Sequence, residues 1–461
     1  MSSTATLPVI ERGGYRFPPG LAHNLPFYIG RKPWARIGRP ILLFEHLAKI
    51  YGVAAHYRMM GTNIVFLNHP DFVQEVLVTQ YSSFIRERTL RRMKILLGEG
   101  LLTSNEPRHM QQRRIVAPAF HRQRIAAYAD EIVCSAAAMA EGWEPGGIVD
   151  IGASMMQLSL TIVARTLFAS EVTDDVRAIN DETNAIMGLY NLLVLLPKLE
   201  SYLDWPLPGI TRFRKARAHL DSVVYRIIGE RRANPVDRQD LLSMLLLSRD
   251  EDGNVLSDEQ VRDEVLTIFL AGYETTANAL TWTWYLLSQN PDAREQMHAE
   301  LDHVLGGRLP TLADYPNLPY TQQVFAESMR LYPPAWAMGR QAAVDVELGP
   351  YRFPAGTHVF FSQWMIQRNP EFYPDPLRFD PARHTEAAKA GRPKFAYFPF
   401  GGGARQCIGE SFAWMEGILS LATMAQRWRL DVLPGQKIDV QEKITLRPRY
   451  PIMMRINARN P

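Results

Sequence analysis

The residues best suited to chemistry lie in Phe400-Gly401-Gly402-Gly403-Ala404-Arg405-Gln406-Cys407-Ile408-Gly409. One of only two cysteines in the chain closes a glycine-rich loop, with an arginine two residues before it and a helix expected from Glu410. Glycines admit backbone angles closed to other residues and let a large ligand approach the main chain. A thiol held by backbone amides and close to a positive charge is expected to ionise more easily than a free one. Such a thiolate is a ligand for a metal, and Cys407 is the candidate.

A second constellation is Ala271-Gly272-Tyr273-Glu274-Thr275-Thr276. The six residues before it are almost wholly apolar, so it is expected to be buried. Glycine costs about 1 kcal/mol relative to alanine inside a helix, and an acid followed by two threonines adds nothing to packing. The Thr275 hydroxyl can bond back to the carbonyl of Ala271, four residues earlier, and open the helix there. That leaves room for a small molecule beside the Glu274 carboxylate and the Thr275 hydroxyl, the parts of a proton relay. On an exposed helix the same residues would be a solvated polar face; the apolar context favours the relay.

Two further patterns carry charge. Glu327 and Arg330 are three apart and share a helix face, although most such pairs are surface decoration worth under about 1 kcal/mol. A buried network that also took in Arg383, in Phe379-Asp380-Pro381-Ala382-Arg383, would fix the loop leading to Cys407. His109 and Arg113 are four apart on one helix face and both can donate to an anion. In isolation, a solvated basic helix start is the simpler account of them.

These groups need elements to hold them. Ser257-Asp258-Glu259-Gln260 reads as a capped helix start, and nothing stops that helix before Asn290-Pro291. About 32 residues at 1.5 Å each would span roughly 48 Å, enough to cross a domain. Other helices are expected at 40–51, 70–79, 107–141, 155–167, 174–196, 210–233, 293–305, 320–331 and 410–428. A strand hairpin is expected over 54–68 with its turn at Gly61-Thr62. A strand-rich piece follows at 342–363, with strand-like ends at 429–433 and 452–456. The stretch 82–107 reads as loop plus short helix, and 369–397 as a long proline-rich connection of a functional kind. Segment 187–196 is unusually apolar, either core or a lid over an apolar pocket that could graze a membrane. Residues 1–39 read as an irregular arm, and 40–461 as one mainly α domain with a small β portion.

Composition narrows the alternatives. The 461 residues are 46% hydrophobic, enough for a large core. Lys+Arg 51 against Asp+Glu 48 leaves +3, too near balance to argue for nucleic acid binding by bulk charge. Two cysteines make neither a disulfide framework nor a four-cysteine metal site, which suits a reduced intracellular setting. No signal pattern opens the chain, and no uncharged apolar run reaches about 18 residues. The expectation is a cytoplasmic protein with no transmembrane segment.

With the cysteine loop, the mid-helix Ala-Gly-x-Glu-Thr-Thr and the Glu-x-x-Arg all present, the chain resembles a cytochrome P-450 over nearly its full length. The type is the bacterial haem-thiolate monooxygenase. The loop fits the family's Phe-x-x-Gly-x-Arg-x-Cys-x-Gly signature at every fixed position: Phe400, Gly403, Arg405, Cys407 and Gly409. The resemblance implies a single-domain cytochrome P-450 fold, with haem b (iron protoporphyrin IX) between the long central helix and the cysteine-loop helix. It implies Cys407 as axial thiolate, Phe400 packed beside the haem, and the amides up to Gly409 tuning the sulfur. Arg405 is implied as partner of a haem propionate. His109 and Arg113 stand for the family's Trp-x-x-x-Arg, and Arg340 is a further propionate arginine. Glu327, Arg330 and Arg383 become a structural triad, and Glu274 and Thr275 an acid–alcohol pair that delivers protons to O2.

The implied reaction inserts one oxygen atom from O2 into a C–H or C=C bond of a hydrophobic small molecule such as a fatty acid, terpenoid or steroid. Electrons are expected from NAD(P)H through a separate ferredoxin or flavodoxin-type partner with its reductase, since no such domain follows the cysteine loop. Arg108, Arg122, Arg124 and Lys394 are candidates for docking that partner. By family analogy the substrate pocket takes in Leu96, Leu192, Phe269, Ala271, Trp336, Met338 and Leu446, an apolar set. Arg86, Arg88, Arg91 and Arg92 are either an anchor for a substrate carboxylate or a solvated face. One rival is a thiolate-haem isomerase or peroxide-driven enzyme, which the Glu274-Thr275 pair argues against. Another is a non-catalytic haem or ligand-binding protein, which has no use for Thr275.

Overall fold

The computed structural model describes residues 9–36, 38–168, 208–238, 240–249, 253 and 255–459. The helix expected over 174–196, with its apolar segment 187–196 and Leu192, lies outside these residues. The main helices are α1 (Pro40–Tyr51), α2 (Arg108–Val116), α3 (Ala129–Glu141), α4 (Ile151–Phe168), α5 (Pro208–Ala233), α6 (Leu241–Leu247), α7 (Asp258–Gln289), α8 (Pro291–Leu305), α9 (Pro319–Leu331) and α10 (Glu410–Ala425).

The axis of the fold is α7. It opens with the expected capping box. The Ser257 hydroxyl accepts from the Gln260 N–H at 3.2 Å, and the Gln260 side chain accepts from the Ser257 N–H at 2.9 Å. It ends at Asn290, after which Pro291 begins α8. Most side chains from Val261 to Leu287 are buried, because α4, α5, α9 and α10 all pack on this helix. A helix enclosed on all sides belongs in a core. The other central helix is α10, buried along most of its length. At Gly417 a Cβ would stand 2.3 Å from the Phe325 ring, so glycine lets α10 approach α9 this closely. The helix expected over 107–141 is interrupted between α2 and α3 by a 3-10 turn at Ala117–Phe120 and a short helix Arg122–Ala127, with Pro118 at the first break. Among the described residues no helix is long and apolar enough to cross a membrane.

The strands are β1 (Ile10–Arg12), β2 (Tyr15–Phe17), β3 (Ala54–Met59), β4 (Thr62–Leu67), β5 (Phe84–Arg86), β6 (Ile148–Asp150), β7 (Met338–Ala342), β8 (Val346–Leu348), β9 (Tyr351–Phe353), β10 (His358–Phe361), β11 (Trp428–Val432), β12 (Val440–Glu442), β13 (Leu446–Pro448) and β14 (Met453–Ala458). They make small sheets in the orders β1-β2-β9-β8, β3-β4-β10-β7-β5, β11-β14-β6 and β12-β13. Among the described residues, the expected irregular arm is ordered from Ile10 to Phe17. β1 and β2 form a hairpin, and Phe17 is buried against His56 and Phe353, partners that only the tertiary fold brings near. The hairpin over 54–68 is present as β3–β4, running from Ala54↔Leu67 to Met59↔Thr62. β5 falls where loop was expected. Three residues are too few to show alternation, and the strand exists because β7 offers it an antiparallel partner.

Candidate active site

The loop before α10 is wound back on itself by main-chain bonds. The Cys407 N–H donates to the Phe400 carbonyl at 3.0 Å, and the Gln406 N–H to that of Gly403 at 3.1 Å. Gly403 lies at φ 68°, and a Cβ there would fall 1.9 Å from the carbonyl oxygen of Leu77. Only glycine meets both demands. The Phe400 ring packs 6.0 Å from that of Trp414 on α10, and Gly409 occupies the N-cap position of that helix.

Cys407 keeps an exposed side chain although protein surrounds it densely. Burial pushes its thiol up to about 11; the Gly409 N–H opposes this, Glu410 adds to it and Arg113 opposes it. This corrects the expectation of an easily ionised thiol. The neighbouring Arg405 turns away and donates to the Ser104 carbonyl at 2.9 Å, and one amide does not replace the water lost on burial. A metal at the sulfur would reverse the balance, because a coordinating thiol is deprotonated outright.

Arg405 instead joins a buried group of cations. Arg340 on β7 and Arg86 on β5 face each other in the ladder, and both are buried. The Nε of Arg86 and one terminal nitrogen of Arg340 lack a hydrogen-bond partner. Burial, then the charges of Arg340 and Arg405, lower Arg86 well below the usual arginine value, while burial and Arg405 lower Arg340 to about 10. His109, buried near the start of α2, shares a hydrogen bond of 2.8 Å with Glu106; burial and then Arg405 lower it to about 4, so it is neutral. Glu106 also stands 3.4 Å from Arg405 and is the one carboxylate in this group among the described residues. Three arginines against one carboxylate leave two positive charges uncompensated. The haem implied by the resemblance carries two propionates, so the residues fit that group.

His109, Arg340 and Arg405 thus come together as expected. Arg113 does not join them; it donates to the Gln406 carbonyl at 2.8 Å and braces the residue before Cys407. Arg86 is the missed member. Sequence offers it only as one arginine among several, and its burial depends on β7.

On α7, Ala271 is the one exposed residue between Val261 and Leu287, and Gly272 and Thr275 beside it are half-buried. The Thr275 hydroxyl donates to the Ala271 carbonyl at 2.8 Å, the back-bond the sequence suggests. Glu274 lies about 100° further round the helix. It accepts from the Arg447 Nε at 2.7 Å and from the Thr445 hydroxyl, both on the β12–β13 hairpin. The expected acid–alcohol pair is therefore adjacent in sequence but directed at different partners. A second acid was missed: Glu416 of α10 is fully buried, and burial pushes it up to about 8. The hydroxyls of Ser159 and Thr276 stand near enough to pull it down somewhat, yet neither satisfies its oxygens. Its only sequence signal is an acid within an otherwise apolar helix.

The triad is built around Glu327, fully buried with Arg330. Arg330 donates to both Glu327 oxygens at 2.7 and 2.8 Å, and to the carbonyls of Gln367, Pro376 and Arg378. Burial alone would raise Glu327; hydrogen bonds from Arg330 and His384 hold it below its ordinary value. Arg383 takes a lesser part than expected, its Nε 3.6 Å from Glu327 and without a hydrogen bond. His384, the next residue, reaches Glu327 at 2.9 Å instead. The long connection is fastened further by Tyr397, whose hydroxyl donates to the Ala326 carbonyl at 3.0 Å.

Of the residues expected to line a pocket, Ala271 is exposed and Met338 half-buried, its side chain against Gly401 of the cysteine loop. Leu96 is buried. Three others are turned elsewhere. Phe269 joins Val265 and Leu266 beside an apolar cavity walled by α4, α5 and α6, on a different face of α7 from Thr275. Trp336 is buried toward Phe44 and donates to the Lys443 carbonyl at 2.8 Å. Leu446 is fully buried, its N–H on Pro334 and its carbonyl on Trp282. Side chains alternate along an extended segment, so Ala335 and Ala337 take the more open side that Trp336 does not.

A family model described as Cytochrome P450 matches residues 18–456. The chain is 39% identical over 396 residues to cyclooctatin synthase of Streptomyces melanosporofaciens, covering 84% of this chain and 85% of that protein. It is 38% identical over 406 residues to cyclooctat-9-en-7-ol 5-monooxygenase of the same organism, covering 86% of each. Pentalenene oxygenase of Streptomyces avermitilis is 34% identical over 430 residues, covering 93% of this chain and 95% of that protein. Among solved structures, retinoic acid bound cyanobacterial CYP120A1 is similar with a TM-score of 0.83 and 26% identity, over 96% of this chain and 99% of that chain.

Proposed function

The chain belongs to the cytochrome P450 family, and from that premise we propose that its substrate is a terpenoid hydrocarbon or alcohol. It is a haem-thiolate monooxygenase of a hydrophobic substrate, and it uses O2 and electrons delivered from NAD(P)H by a redox partner. The terpenoid assignment is supported by what its relatives act on, a cyclic alkenol in one case and pentalenene in another.

The observation that carries the site assignment is Cys407, its side chain exposed at the end of the signature loop. In this reading Cys407 holds the iron, and His109, Arg340 and Arg405 hold the propionates. A thiolate-ligated haem, when bound, supplies the electron push that favours O–O cleavage. Thr275 offers its hydroxyl at the notch beside Ala271, and Glu274 feeds protons to it through water once its hold on Arg447 loosens. Arg330, Glu327 and His384 keep the cysteine loop in place. A ferredoxin-type partner docks where Arg108 and Lys394 are exposed. Arg124 is engaged by Asp237 at 3.6 Å and is the weaker candidate.

Two measurements test this. Reduced protein under carbon monoxide should show the strongly red-shifted Soret band of thiolate ligation, lost in Cys407→Ser; a histidine-type band in freshly folded protein would overturn the site. A screen by iron spin-state shift should find its tightest ligands among terpenoids. Shifts confined to fatty acids or steroids would overturn the substrate assignment.

A further inference from the structure

We propose that the apolar cavity between α4, α5, α6 and α7 is a docking site for dioxygen, and that the gas passes from it to the notch at Ala271 by way of Gly272. The delivery step rests on the haem reading above. The cavity holds about 50 Å³ and is lined only by Ala, Val, Leu, Ile and Phe side chains. Ala164 of α4, Val224 and Ile228 of α5, Leu242 of α6, and Val265 and Phe269 of α7 form its walls. Pockets for drug-sized ligands run to about 300–1,000 Å³, so a terpenoid does not fit. Water needs polar partners to stay in a cavity, and the side chains here offer none. Dry apolar cavities take up xenon and other small apolar molecules. The reaction consumes one such molecule, O2.

Its position on α7 gives the cavity a use. Val265, Phe269 and Gly272 fall at i, i+4 and i+7, one row along the helix. The row of side chains facing the cavity therefore ends at Gly272, which has none. Gly272 is three residues from Phe269 on one side and three from Thr275 on the other, about 4.5 Å of helix in each direction. Both are the spacing of neighbours on a helix surface, so Gly272 adjoins the cavity and the notch alike. Across from it stands Val163 of α4, next in the chain to Ala164 of the cavity wall. A Cβ on Gly272 would lie 3.4 Å from one Val163 methyl and 3.9 Å from the other. Outside the helix's own backbone, no other atom of the described residues comes within 4 Å of that position. The passage is narrow and turns on one valine side chain.

Xenon probes the site and O2 uptake probes the delivery. Crystals of the holoenzyme pressurised with xenon should show the atom between Ala164, Leu242 and Phe269. Ala164→Val puts a larger side chain into that space and should lower xenon affinity by about tenfold or more. Uptake of O2 by the reduced holoenzyme, followed by stopped-flow absorbance, should slow by about threefold in the same variant, with the carbon monoxide spectrum unchanged. Dissolved xenon should slow wild type in the same way and leave the variant alone. Absence of xenon from the wild-type cavity overturns the inference, and so does O2 uptake at the wild-type rate in the filled variant. If Ala164→Val does not fold, Leu242→Phe fills the cavity from α6 and carries the same comparison. Xenon binding needs no iron, so the two readings fail separately. An empty cavity beside a thiolate-type carbon monoxide spectrum refutes the gas site alone, whereas a histidine-type spectrum refutes the haem site and with it the delivery.

Discussion

Buried Glu274 on α7 and half-buried Arg447 on β13 form an ion pair, Nε to Oε1 at 2.7 Å, with the Thr445 hydroxyl donating to the same oxygen. Burial alone would lower Arg447, but its hydrogen bond and charge contact with Glu274 leave it above its ordinary value. The mid-helix acid and the last hairpin are thereby one unit. Asn278 strengthens it, donating to the Glu274 carbonyl at 2.9 Å and to the Thr445 hydroxyl at 3.3 Å. In the proposed relay, Glu274 would have to leave Arg447 and Thr445, so a change at the hairpin would accompany any on the helix.

Breaking the pair from one side should be costly. Arg447→Met strands a buried carboxylate and is expected to destabilise by about 3–5 kcal/mol. Adding Glu274→Gln to the same chain should recover most of that loss. Urea unfolding of both single variants and the double closes the cycle, and simple additivity would show that the two residues are not coupled.

Thr275→Ala tests the relay apart from the iron site. The carbon monoxide spectrum should be unchanged, while product formed per electron consumed falls by about tenfold or more, in line with the usual size of acid–base contributions. Wild-type rate and coupling in this variant would remove Thr275 from the mechanism.

Glu416 makes stability depend on pH. Burial lifts it from an ordinary 4.5 to about 8, so between these values the native chain holds a proton that the unfolded chain has released. Stability therefore falls as pH rises through that window, by about 1.4 kcal/mol per unit at most, and levels off above it. The groups facing it are the hydroxyls of Ser159 and Thr276. Glu264 on α7 adds to the fall below neutrality: burial pushes it up to about 7, the Leu101 N–H opposes, Asp263 raises it and Arg108 lowers it. Glu416→Gln should flatten the decline between pH 7 and 8. Thermal unfolding at both pH values decides it, and parallel slopes for variant and wild type would refute the assignment.

The network at Glu327 predicts an order between neighbours. His384→Ala removes a direct hydrogen bond to a buried carboxylate and should cost about 2–3 kcal/mol. Arg383→Ala removes a longer charge contact and should cost about 1 kcal/mol. Chemical denaturation of the two variants gives the comparison, and the reverse order would restore Arg383 as the main third member.

The sequence by itself determined the features that are local. The cysteine loop is legible because its glycines, arginine and cysteine must occupy fixed positions for the backbone to fold round a ligand. The 32-residue span of α7, with its cap at Ser257, follows from helix periodicity and capping chemistry. The Thr275 back-bond is local for the same reason. Only the tertiary structure decided which distant segments crowd each buried group, and with that its charge and direction. One step round α7 sends Glu274 to Arg447 while Thr275 stays at the notch. Burial by the surrounding fold, and not the flanking arginine, sets the Cys407 thiol. Arg86 is an ordinary basic residue until β7 lays Arg340 opposite it, because the repulsion between two buried charges depends on their distance in space and not on their separation along the chain.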